Sequence, residues 1–181
     1  MLKKILIALA VLIGIFVVVV ALQPSEFRVA RTATIAAPQA DVFAQVNDLH
    51  KWDAWSPWAK LDPDAKITFE GADAGEGAVM NWAGNDKVGE GTLTVVESRP
   101  SDLVKLRADY VEPIEGTSIS EFDFKPEGDQ TAVTWTMSSQ HGFLGKAFCL
   151  IMNGKKMIGN DMEKGLAQMK SVAEGAKAAS N

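Results

Sequence analysis

The sequence predicts an α+β fold: one transmembrane helix, then a curved antiparallel sheet wrapped around a long C-terminal helix. Three observations carry this. An uncharged run, residues 5–22, follows the pair Lys3-Lys4. Six segments with period-two apolar alternation then succeed one another between residues 65 and 140. Beyond residue 142 the apolar spacing turns helical and stays so almost to the end.

The first run spans 18 residues, interrupted only by Gly14. At about 1.5 Å per residue it reaches roughly 27 Å, close to the thickness of a hydrocarbon core. No polar residue marks a solvent face, which favours a membrane segment over a buried core helix. The run exceeds a typical signal h-region, and its one candidate cleavage site is Val19-Val20-Ala21. An uncleaved anchor is therefore expected, with secretion after cleavage as the alternative. Lys3 and Lys4 place the N-terminus in the cytoplasm by the positive-inside rule. The rest then lies outside, which in a bacterium means an inner-membrane, single-pass protein with a periplasmic domain.

Residues 23–26 read as a short linker, 27–175 as the folded domain and 176–181 as a tail. Residues 27–36 alternate Val29, Arg31, Ala33 and Ile35 against Arg28, Ala30, Thr32 and Thr34, a strand. Pro38 opens a helix carrying Val42, Phe43 and Val46, and a second short helix is expected around residues 50–55, ending before Pro57. The six later strands are marked by Ile67 and Phe69; Met80 and Trp82; Leu93 and Val95; Val104 to Tyr110; Ser120 to Phe124; and Thr131 to Met137. Turn chemistry separates them, as at Gly84-Asn85-Asp86 and Pro126-Glu127-Gly128-Asp129. Residues 143–152 are apolar almost all round, and Gly154 is expected to break that helix. Ile158, Met162, Leu166, Met169 and Val172 form the final stripe, with Asn160 and Glu163 a candidate cap and Gly159 and Gly165 each costing about 1 kcal/mol.

Composition narrows the function. The chain has 181 residues, 18 basic and 23 acidic. Setting aside Lys3 and Lys4 leaves 16 against 23, a net charge of −7 on the soluble part. Nucleic-acid binding and a polybasic grip on an anionic membrane are disfavoured. The single cysteine excludes an intramolecular disulfide framework and a four-cysteine zinc site.

The element order, with particular words in the chain, resembles the SRPBCC or START-like superfamily, which includes the polyketide cyclase/dehydrase and lipid-transport proteins. The words are Ser56-Pro57-Trp58 with Asp62-Pro63-Asp64, Trp82-Ala83-Gly84-Asn85, Val88-Gly89-Glu90-Gly91, Thr131-Ala132-Val133-Thr134-Trp135, and Gly165-Leu166-Ala167-Gln168-Met169-Lys170. The resemblance spans about residues 27–175. It implies a helix-grip fold with a deep pocket between sheet and helix.

The inward faces supply Met80, Trp82, Leu106, Tyr110, Phe122, Trp135 and Met137, and the helix supplies Met162, Leu166 and Met169. With Trp55 these are the candidate ligand-binding residues, since aromatic rings and flexible thioethers suit an apolar ligand. The same residues serve equally as plain core. Trp52, Trp55 and Trp58 either line a pocket mouth, rest near the membrane interface, or fasten their helical segment. Tyr110 and His141 are the candidate proton-transfer groups, His141 being equally an ordinary turn residue. Cys149 reads as an inert buried thiol. Gly75-Glu76-Gly77 and Gly89-Glu90-Gly91 precede strands, so bulges or close backbone packing explain them better than phosphate loops. No metal site and no cofactor are expected. The leading expectation is a membrane-anchored protein binding a small hydrophobic or lipid-like ligand. The alternatives are a polyketide cyclase/dehydrase-like enzyme, and an envelope stress or interaction factor without ligand. The oligomeric state is left open.

Overall fold

The computed structural model describes residues 1–179; the last two residues of the expected tail lie outside the described residues. Helix α1 (Leu2–Leu22) is apolar beyond Lys3 and Lys4, with a mean hydropathy of 3.4 in its most apolar window, long enough for a membrane span or a signal sequence. Val20 is its one buried residue. The helix ends at Gln23, whose backbone N–H returns to the Val20 carbonyl.

Strand β1 (Glu26–Ile35) begins at once and lies beside the last strand, β7 (Gln130–Gln140). Between them in sequence come β2 (Lys66–Gly71), β3 (Ala78–Ala83), β4 (Glu90–Arg99), β5 (Leu103–Glu112) and β6 (Gly116–Glu127). The sheet is fully antiparallel, in the order β1-β7-β6-β5-β4-β3-β2. All six later strands fall where the alternation placed them. Its register puts Val29, Arg31 and Ile35 on one face with Trp135, Phe122, Phe124, Leu106 and Val95. This inner face is the one the helices cover.

Helices α2 (Gln39–Asn47) and α3 (Trp52–Trp55), with single 3₁₀ turns at Leu49–Lys51 and Ala59–Leu61, pack inside the curve. Helix α4 (Phe143–Ile151) follows β7, and α5 (Gly154–Ala179) crosses the inner face over β1. The helix carries the chain past residue 175, so residues 176–179 continue α5 where a tail was expected.

Two local expectations are corrected. The break between α4 and α5 falls at Asn153, in the left-handed region at φ 49°, and Gly154 starts the new helix. Asn160 caps nothing, because it lies well inside α5. Gly159 and Gly165, which weaken the helix by propensity, are where it meets its neighbours. A Cβ on Gly159 would collide with the Arg31 guanidinium, and one on Gly165 would lie 2.9 Å from Pro57 Cδ and 3.0 Å from the Trp135 ring. Arg31 thus passes beneath α5 to pair with Glu163 at 2.6 Å.

The strand register defines a shared end of the sheet. Glu26 pairs with Gln140, Ser118 with Ser139, Tyr110 with Gly116, Glu90 with Glu112, and Trp82 with Gly91. Because α1, a candidate membrane anchor, enters at Glu26, this end of the sheet is named the anchor end.

Candidate functional site

The half of the interior away from the anchor is filled by aromatic rings. Phe122 and Trp135 stack at 4.8 Å, and Trp55 meets each edge-on at 5.9 Å. Trp52 and Trp58 join the same cluster. Each such pair adds about 0.5–1.5 kcal/mol beyond burial. The indole N–H groups are satisfied: Trp52 donates to the Val46 carbonyl, Trp55 to the Gln45 carbonyl, and Trp135 to Ser120 Oγ. The tryptophan trio therefore fastens its helical segment into the core. Leu106, Met162 and Leu166 are fully enclosed beside it.

Toward the anchor end the inner face changes character. Four of its positions are small, Gly91, Ala108, Ser118 and Ser120, with the buried Leu93 among them. Around them stand Met80, Trp82 and Tyr110, each only partly buried, with Met137 on the adjacent strand. Gly91 lies between Trp82 on β3 and Tyr110 on β5. A Cβ there would fall 2.5 Å from two carbons of the Trp82 indole. Its absence lets the indole lie across β4 and meet Tyr110 edge-on at 5.8 Å. The Trp82 N–H is held by the Val88 carbonyl. The β4–β5 register also shifts at Glu90/Gly91, so the bulge and close packing read from the glycines are both present.

Polar groups run along the same end. The Tyr110 and Ser118 hydroxyls are hydrogen-bonded at 3.1 Å. Burial pushes the Tyr110 phenol above its ordinary value, with the Ser118 bond opposing, so it stays protonated at neutral pH. Ser118 is the register partner of Ser139. Ser139 Oγ lies 2.9 Å from His141 Nε2, and His141 Nδ1 lies 3.3 Å from Cys149 Sγ. The His141 ring stacks on Phe27. Burial raises the Cys149 thiol.

His141 is thus no free turn residue, and Cys149 is not isolated: α4 folds back so that the two meet. Ser118 and Ser139 escaped sequence reasoning, although a hydroxyl at an inward phase of an apolar strand was a usable signal. Of the candidate ligand residues, Trp82, Tyr110 and Met80 gather at the anchor end. Trp55, Leu106, Phe122, Trp135, Met162 and Leu166 gather in the packed half. Two concavities are prominent outside. One, about 260 Å³, includes Thr68, Asn81, Thr92 and Trp82 on the outer face. The other, about 420 Å³, lies at the β5–β6 hairpin against Asp109, Tyr110 and Glu115. Among the described residues no three His, Cys, Asp or Glu side chains group closely enough to hold a metal ion.

Residues 26–174 match the sequence profile of a family described as polyketide cyclase / dehydrase and lipid transport. No curated protein matches the chain in sequence. Solved structures share the fold. The di-domain ARO/CYC StfQ of the steffimycin biosynthetic pathway superposes with a TM-score of 0.63 at 10% identity, over 84% of this chain and 52% of that one. Protein MLL2253 from Mesorhizobium loti gives 0.60 at 12% identity, over 82% and 97%. The Aha1 dimer from Colwellia psychrerythraea gives 0.58 at 14%, over 82% and 96%.

Proposed function

The chain belongs to the polyketide cyclase/dehydrase and lipid-transport family, and on that premise we propose a membrane-anchored SRPBCC protein that holds a small hydrophobic or lipid-like molecule. The site is the anchor-end half of the inner face. The observation carrying this is the step from large to small side chains along that face. Phe122, Trp135 and Phe124 fill one half; in the other Gly91, Ala108, Ser118 and Ser120 leave Leu93 as the one large side chain of β4 there, beside partly buried Met80, Trp82 and Tyr110. An apolar ligand needs little more. Ten methylenes at about 0.8 kcal/mol each give roughly 8 kcal/mol, micromolar binding before ordering costs. The Tyr110–Ser118 and Ser139–His141 hydroxyls offer hydrogen bonds to a polar head.

Ala108→Leu enlarges one of these small side chains in place, at a position that faces Ser118 across the β5–β6 ladder. Mass spectrometry of solvent extracts from the purified full chain is expected to find one apolar molecule with the native protein and severalfold less with the variant, at unchanged circular dichroism. Empty protein with no affinity for a panel of lipids and quinones sinks the reading.

In this reading α1 is the anchor, Lys3 and Lys4 remain cytoplasmic, and the acidic domain is periplasmic. A second reading, a cyclase/dehydrase-like enzyme, is favoured by the Cys149–His141 contact, which places a proton-transfer pair at the rim of the same interior.

A further inference from the structure

Helix α4 carries an apolar surface that the fold leaves uncovered. Leu144 is 81% exposed, Ile151 69% and Phe148 52%, on a helix that continues to the exposed Met152. A patch of this kind marks an interaction surface. What covers it follows from where it sits. Helix α4 packs against α1, whose buried Val20 lies in its last turn before the domain. The connection is short and tied down: the Ser25 carbonyl accepts the His141 N–H at 2.8 Å, two residues before α4 begins. The patch therefore adjoins the end of α1, among the described residues the one helix long and apolar enough to cross a membrane.

The charges agree. Residues 143–160 contain Lys146, Lys155 and Lys156 and no acid, although the domain as a whole is acidic. Across the same end of the sheet, exposed Ile114 is flanked by Glu112 and Glu115, which keeps that hairpin out of an anionic interface. The basic, apolar side and the acidic side thus divide the anchor end.

We propose that α4 lies in the interfacial layer of the bilayer into which α1 inserts, with Leu144, Phe148 and Ile151 among the acyl chains and the lysines at anionic headgroups. A short apolar helix with lysines at its flank, Lys146 within it and Lys155 and Lys156 at the start of α5, combines the buried apolar area and the basic charge that such contacts use. The domain is then held with its anchor end on the lipid, so the partly buried Trp82 and Tyr110 lie at the end that faces the bilayer. This inference rests on reading α1 as the anchor.

The test uses the full chain in phosphatidylcholine vesicles, with and without phosphatidylglycerol. In a Cys149→Ser background, an NBD fluorophore is placed at Leu144→Cys, Ile151→Cys or, as the wet reference, Asp129→Cys. Folding of each is checked by circular dichroism. The expected result is blue-shifted emission at 144 and 151, quenched severalfold more than at 129 by lipid spin-labelled near the headgroup, and more so with phosphatidylglycerol. Labels as wet as at 129, on chains that float with the vesicles, overturn the proposal while leaving the anchor intact. Shielding that appears only as protein density rises assigns the patch to a second copy and also overturns it. Chains that do not float remove the anchor reading itself.

Discussion

The thiol of Cys149 separates the binding and enzymatic readings more cleanly than any other group. Burial raises it, so less thiolate is present at neutral pH than for a free cysteine. Alkylation by iodoacetamide in the full chain is expected to be severalfold slower than that of a free thiol at pH 7.5, and to keep accelerating above the pH where the free thiol levels off. Fast alkylation at neutral pH would instead signal a thiolate activated by His141, and would promote the enzyme. A second residue-scale test concerns Gly165. Alanine there gains about 1 kcal/mol of helix propensity but drives a methyl into the rings of Pro57 and Trp135, overpacking that costs about 1–3 kcal/mol. Because both neighbours are ring atoms held in the core, the net effect expected of Gly165→Ala is a loss of up to about 2 kcal/mol. Urea unfolding of the full chain in micelles, followed by tryptophan emission, checks it; an unchanged or higher midpoint refutes the crowding argument. Propensity alone marked these glycines as weak points, because the atoms they accommodate come from residues far away in sequence.

Elements were more legible than contacts. Each strand was visible because one face is buried and the other wet, which imposes the period of two on its residues. The covering helix was visible for the corresponding reason. What the pattern could not distinguish was a sealed position from a partly exposed one: Trp135 and Trp82 alternate identically, yet one is fully buried among rings and the other is only partly buried. The meeting of His141 with Cys149 was hidden too, since it depends on how the turn at Gly142 leads from β7 into α4. At the anchor end the β5–β6 hairpin is pinned from its outer face by Asp109, whose Oδ1 accepts from Thr117 at 2.7 Å and from Arg107 at 2.9 and 3.0 Å. The Thr117 hydrogen bond, aided by Arg107, holds this carboxyl below its usual 3.8. A lowered carboxylate stabilises the fold above the unfolded value and loses that contribution as pH falls through the folded one. Asp109→Asn is therefore expected to lower the thermal midpoint modestly at neutral pH, the gap to the native chain closing in acid. A gap that persists in acid would show that the hairpin does not depend on the charge.

At the scale of the whole molecule, the question is whether the N-terminal helix stays. Composition alone left this open, since an 18-residue apolar run fits an anchor and Val19-Val20-Ala21 resembles a cleavage site. The fold supplies a physical reason for retention. Cleavage after Ala21 would remove Val20, which is fully buried against the domain, and expose the face of α4 on which α1 packs. It would also leave a domain of net charge −7 with a large uncovered apolar helix next to its entry strand, a surface prone to self-association in water. On the proposed reading, α1 in place puts both the helix and the patch in the bilayer. The mature protein is thus expected in the membrane fraction, resistant to carbonate extraction, with an intact mass that includes residues 1–21 apart from removal of Met1. N-terminal sequencing that begins at Leu22, with the protein in the soluble periplasmic fraction, would overturn retention and with it the orientation of the site toward lipid.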